Sequence, residues 1–186
     1  STRKGSQVRI LSRPPFTFVF HSASFRKMRS ILFIFFIMLF HLNLFANSFS
    51  IFGGSYDYDD DNTSTLYGVN YHLSDNTFSL FNLVDINPVI GGFVTAKSAS
   101  MLYSGFETNI GQESFYLNLS SSAGIYSNGD GKDLGNALQF KSELNLFYRL
   151  SKSSRIGIGS HHISNAGLSS VNPGTNNFYL IFNRDF

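Results

Sequence analysis

The 186-residue chain contains no cysteine, which excludes a disulfide framework, thiol nucleophiles and Cys-ligated zinc, so its stability must come from the fold alone. Long apolar runs are missing as well. The segment Ile31 to Phe40 is too short to cross a bilayer as a helix, which takes about 20 residues, and His41 and Asn43 interrupt it further. Excess basic charge is absent from most of the chain. Residues 1–46 hold seven Lys and Arg and no acid, whereas 47–186 hold seven Lys and Arg against twelve Asp and Glu, a balance of −5. The formal net charge of +2 therefore belongs to the N-terminal part and gives no argument for nucleic-acid binding.

The N-terminal part reads as something other than fold. Residues 1–27 are basic, carry Pro14 and Pro15 and show no periodicity, as expected of a non-native or unstructured extension. From Met28 onwards Arg29, the apolar run and small residues around Ala46 have the layout of a secretory signal peptide over 28–46. Translation is expected to start at Met28 and cleavage to follow Ala46. The working protein would then be residues 47–186, enough for one domain.

What this domain has in quantity is period-two alternation. Phe115, Leu117, Leu119, Ser121, Ala123 and Ile125 oppose Tyr116, Asn118, Ser120, Ser122, Gly124 and Tyr126; Phe140, Ser142, Leu144, Leu146 and Tyr148 oppose Lys141, Glu143, Asn145, Phe147 and Arg149. Successive side chains of a strand point to opposite faces, so these are strands with one apolar and one polar face. Turn-rich clusters separate segments close to the nine to eleven or so residues of a tilted membrane-crossing strand. The polar face carries Ser, Asn, Gly, Tyr and pairable charges such as Glu107, Lys141 and Glu143, which suits a narrow hydrated interior, and the opposite face is rich in Phe, Leu and Ile. The expected fold is all-β: an eight-stranded antiparallel transmembrane β-barrel of the bacterial outer membrane over 47–186. Its strands fall near 48–58, 63–73, 86–96, 101–110, 114–126, 138–150, 154–164 and 177–186. The third is the least regular, because 77–84 can extend the second strand or stand alone and Pro88 cannot donate to a ladder. An even count puts both termini on the periplasmic side.

The residues that can carry chemistry gather near the C-terminus. In RIGIGSHHIS, Ile156, Ile158, Ser160, His162 and Ser164 share one face; in the last strand Asn176 is in phase with Phe178, Leu180, Phe182 and Phe186. Both apolar faces thus end in polar groups, and a hydroxyl, an imidazole and an amide can converge at the loop between them. The direction of the seventh strand puts them at the outer rim on the lipid side. A serine hydroxyl needs a neighbouring base to become a nucleophile, and the tetrahedral intermediate needs donors for its oxyanion; Asn172 and the backbone N–H groups around Asn165 are available.

HISNAGL at 162–168, NPG at 172–174 and the terminal aromatic strand resemble the lipid A deacylase family known as PagL. The resemblance implies a serine esterase with its site on the outer wall of an eight-stranded barrel, removing the 3-linked acyl chain of lipid A, with His162 as general base and Ser164 as nucleophile. Asn172 matches the family's loop Asn. Asn176 stands where the family carries an acid, usually Glu. An amide can hold the imidazole tautomer through its carbonyl oxygen but cannot stabilise imidazolium by charge, so a slower enzyme is expected.

Other polar groups have plainer readings. His161 alternates into the interior and is expected to hydrogen-bond there, as is His72, for which the sequence names no partner. Neighbouring histidines point apart on a strand and no third ligand is suitably spaced, so no metal and no cofactor are expected. The acidic run Asp57, Asp59, Asp60 and Asp61 reads as a solvated outer loop, with divalent cations bridging lipid phosphates as the sharper alternative. Gly53-Gly54 and Gly91-Gly92 lack a following helix, which excludes a phosphate loop and favours glycine making room for tyrosines. The expected partners are lipid A or lipopolysaccharide of the outer leaflet and the outer membrane, with a homodimer permitted. Competing functions are a non-enzymatic small barrel, adhesin or structural, and a soluble lipid-carrying barrel.

Overall fold

The alternating segments form strands: β1 (Ser48–Tyr56), β2 (Ser64–His72), β3 (Phe78–Leu80), β4 (Val84–Thr95), β5 (Ser100–Gln112), β6 (Phe115–Ser127), β7 (Leu138–Arg149), β8 (Ser154–Ser164) and β9 (Thr175–Asp185). This computed structural model describes residues 48–60, 63–74, 77–80, 84–112 and 114–186. The expected N-terminal extension and signal peptide lie outside the described residues. All pairings are antiparallel, in the order β2-β1-β9-β8-β7-β6-β5-β4-β3, and β2 also pairs with β4. Eight strands therefore close on themselves, which removes the free edges of the barrel wall.

β3 is the ninth strand and lies outside the closure. Among the described residues it pairs only with Val84–Ile86 at the start of β4, so Phe78–Leu80 is a short separate strand and not an extension of β2. Pro88 sits where β2 stops and β3 takes over. Its carbonyl accepts from Leu73 N–H at 3.0 Å, and since the N and O of one strand residue face the same neighbour, the missing donor costs the β4–β5 ladder nothing.

Burial inverts the rule for soluble domains. Leu102, Ile125 and Leu180 are more than 60% exposed, whereas Lys141, Asn145 and His161 are about 1% exposed. An apolar exterior around a polar interior is what hydrocarbon surroundings require. The interior charges are paired, as buried charges must be: Lys141 binds Glu143, which also accepts from Tyr179 Oη at 2.5 Å and from Asn145 Nδ2 at 3.1 Å. The Lys141 ammonium lies 4.1 Å over the Tyr103 ring. Glycines make room for these rings. A Cβ on Gly91 would fall 2.6 Å from Tyr103 Cε2, and one on Gly159 would fall 2.2 Å from Tyr179 Cε2. Side chains fill much of the bore, as is usual for eight strands, and leave a polar cavity of about 360 Å³ beside His72, Glu107, Arg155 and Asp185.

Two interior histidines behave differently. His72 does have partners: its Nε2 lies 2.8 Å from Ser50 Oγ and its Nδ1 lies 2.7 Å from Glu107 Oε1. His161 is not the hydrogen-bonder that its phase implied. Its ring is caged by Phe52, Phe93 and Tyr179, and neither ring nitrogen has a partner among the described residues. Aromatic packing has displaced polar pairing at this position.

The end of the barrel opposite the termini carries the turns and loops at 57–60, 96–99, 128–137 and 165–174. They are bonded to one another. Lys132 reaches Asp57 at 3.0 Å and Asp60 at 2.8 Å, and Asn165 Nδ2 donates to Leu134 O at 2.8 Å and to Val171 O at 2.7 Å. Burial opposes charge on Lys132, but the hydrogen bonds to Asp60 and Asp57 outweigh it and hold the ammonium above the usual lysine range. The acidic loop is thus a bonded structure. Among the described residues no group of acids and histidines could hold a metal ion; Asp61 lies outside them.

Candidate active site

β8 and β9 pair so that His162 is directly opposite Asn176. Both stand on the outer wall in phase with exposed Ile158 and Phe178, and His162 Nδ1 lies 2.8 Å from Asn176 Oδ1. Asn176 Nδ2 in turn donates to Asp59 Oδ2 at 2.7 Å. This second bond fixes the first. A carboxylate can only accept, so the amide must turn its NH2 towards Asp59 and its carbonyl towards the ring. The carbonyl then accepts from Nδ1–H, which leaves Nε2 without a proton and free to act as a base.

Ser164 closes β8, half-buried and in the same outward phase. Its hydroxyl makes no hydrogen bond to His162 among the described residues, so the structure brings His162 and Asn176 together but leaves the serine unbonded. Orientation is nevertheless favourable. The register places Gly174 next after the Ile163–Thr175 pair, hence across from Ser164, and the imidazole lies over that glycine. A Cβ there would be 2.9 Å from His162 Cε1 and 3.4 Å from Nε2. The ring edge bearing Nε2 therefore projects towards the Ser164 rung. Gly174 also has φ +65°, a left-handed conformation that glycine adopts without cost.

The two loop asparagines separate in role. Asn165 is fully buried; its side chain donates to Leu134 O and Val171 O and accepts from Gly167 N–H at 3.0 Å. Its backbone N–H is also committed, donating to Asn172 Oδ1 at 2.9 Å. Asn165 holds the 165–174 loop, while Asn172 is exposed with its carbonyl anchored and its amide NH2 left for another acceptor.

A groove of about 580 Å³ runs along the outer wall to His162, past Ile86, Phe106, Leu119, Ser121, Ser142 and Ser160. Phe106, Ser121, Ser142 and His162 share one rung across four strands, spaced about 4.8 Å apart. Small hydroxyl residues recess the wall between rows of Leu and Phe. The lumen holds a superficially similar Ser50–His72–Glu107 row, but Ser50 is fully buried inside the barrel, out of reach of a substrate.

Asp59 is the residue that the sequence did not assign to the site. The acidic run was visible, but nothing local joins position 59 to position 176, 117 residues away. Alternation alone gives the outward phase of a strand, and the loop before β2 has none.

Comparison with known proteins gives three findings. Residues 51–184 match the family model described as Lipid A 3-O-deacylase (PagL). Lipid A deacylase PagL of Bordetella bronchiseptica is 34% identical over 76 residues, which cover 40% of this chain and 43% of that protein, so the matched part spans less than half of that relative. A crystal structure of the outer membrane enzyme PagL superposes with a TM-score of 0.60 at 16% identity, over 75% of this chain and 99% of the other, a likeness of fold.

Proposed function

The chain belongs to the lipid A 3-O-deacylase (PagL) family, and from that premise we propose that it is an outer-membrane serine esterase hydrolysing the 3-linked acyl ester of lipid A. The observation that carries this reading is the His162–Asn176 pair on the outer wall, oriented so that Nε2, the ring nitrogen not bonded to Asn176, faces the Ser164 rung. With the termini on the periplasmic side, that end of the barrel meets the outer leaflet, where the substrate lies. The groove leading to His162 suits the acyl chain.

The chemistry follows from the roles. Ser164 Oγ attacks the ester carbonyl carbon while His162 Nε2 takes the hydroxyl proton. Asn176 Oδ1 holds Nδ1–H, and the Asn172 amide donates to the oxyanion, with Asn165 keeping Asn172 in place. The intermediate collapses by breaking the bond to the sugar oxygen, which receives the proton from His162. Water, deprotonated by the same imidazole, then cleaves the acyl-serine and releases the fatty acid. The missing Ser164–His162 bond is no obstacle, since such contacts commonly tighten only in the substrate complex. Self-association as a homodimer must leave the β7–β9 wall open to lipid.

Mass spectrometry of lipid A from cells expressing the wild type, Ser164→Ala and His162→Ala tests the proposal. Loss of one 3-linked acyl chain is expected in the wild type alone, with each variant slower by about 10³-fold or more. Unchanged lipid in all three strains would favour a non-enzymatic barrel.

A further inference from the structure

We propose that Asp59, from the loop between β1 and β2, acts through the Asn176 amide as a positioning residue for His162, supplying the negative charge that Asn176 lacks. The inference rests on the reading of His162 as general base. During attack the imidazole becomes imidazolium, which an amide carbonyl stabilises only as a dipole. A carboxylate one amide further away adds a full charge and holds the amide in the useful orientation. Without Asp59, either orientation of the Asn176 amide is open, and the inverted one turns NH2 towards Nδ1 and favours the tautomer that has its proton on Nε2.

Asp59 is delivered by a built loop. Tyr58 N–H donates to Asn176 O at 3.1 Å, and Asp57 N–H donates to Asn177 Oδ1 at 2.9 Å, so the residues on its N-terminal side are tied to the strand it serves. Thr63 Oγ1 closes the loop on Asp57 O at 2.8 Å and Asp60 O at 2.7 Å. Lys132 is taken by Asp57 and Asp60, which leaves the Asp59 carboxylate to Asn176. The acid expected on β9 is thus replaced by one from across the β1–β9 pairing.

The test measures turnover of lipid A by the purified full-length protein in detergent micelles, for Asp59→Ala and Asp59→Asn, each alone and combined with Asn176→Glu, with folding checked by circular dichroism. Asp59→Ala is expected to lower kcat about 10- to 100-fold, the usual effect of losing a partner one contact removed from the reacting group, with KM within about twofold. Asp59→Asn, which keeps an acceptor but no charge, should fall between. Adding Asn176→Glu to Asp59→Ala should recover the rate, because the carboxylate then meets the imidazole directly; with Asp59 present the same change sets two carboxylates against each other and gains less. Wild-type kcat in Asp59→Ala, or a loss that Asn176→Glu does not recover, overturns the inference while leaving the esterase intact. Turnover retained by Ser164→Ala or His162→Ala, or none by the wild type, overturns the hydrolase reading and this inference with it.

Discussion

Replacing Gly174 by Ala tests whether the geometry of the imidazole matters. Two costs are separable. The backbone at φ +65° penalises any L side chain by roughly 1–2 kcal/mol. The new methyl would also stand 2.9 Å from His162 Cε1 and 3.2 Å from Ile163 O, where ordinary contact begins at 3.4 Å. The carbonyl belongs to the β8–β9 ladder and cannot yield, so the ring must move by several tenths of an ångström. A displacement of that order in a reacting group lowers kcat by about 10- to 100-fold. Gly167 supplies the control. It lies in the same loop at φ +80°, with nothing within 4 Å of a new Cβ, so Gly167→Ala meets the backbone cost alone. Fatty-acid release from lipid A in micelles, with urea unfolding in detergent, reads both effects. Gly174→Ala should lose at least as much stability as Gly167→Ala, because it adds the contacts with His162 and Ile163 to the shared backbone cost, and only Gly174→Ala should lose most of its turnover. Equal turnover in both would refute the placement of the imidazole over Gly174.

Two further perturbations address the wall and the bore. Ser142 shares the His162 rung and lines the groove, so Ser142→Leu should slow cleavage of long-chain esters by roughly tenfold and of acetyl esters far less, as measured by competition between chain lengths. His161→Phe removes two buried, unpartnered nitrogens from a cage of Phe52, Phe93 and Tyr179. It should raise stability by about 1 kcal/mol, seen as a higher urea midpoint.

Alternation carried most of the fold. A strand repeats every two residues, so the outward phase of Phe115, Phe140, Ile158 and Phe178 and the inward phase of Lys141 and Glu143 could be read without coordinates. The same reasoning put His162, Ser164 and Asn176 on one wall. It could not give the His162–Asn176 rung, because register depends on where the turn ends rather than on phase. Loops were opaque for a further reason: Asp57 and Asp59 sit in a run that looks solvated, yet one is buried against Lys132 and the other bonds a strand at the far end of the chain. Asn165 misled in a similar way. Its place between Ser164 and Asn172 suggested a donor to substrate, whereas its position one residue beyond the outward phase turns it into the loop interior.

The Asp59–Asn176 bond has a consequence for the life of the protein before it reaches lipid. β1 and β9 are the first and last staves, and their pairing is the seam that turns a sheet into a cylinder. A carboxylate from beside the first and an amide from the last can meet only once that seam is zipped. The proposed carboxylate–amide–imidazole row is therefore complete only in the closed cylinder, and a chain whose last seam is open holds the His162–Asn176 pair without its acid.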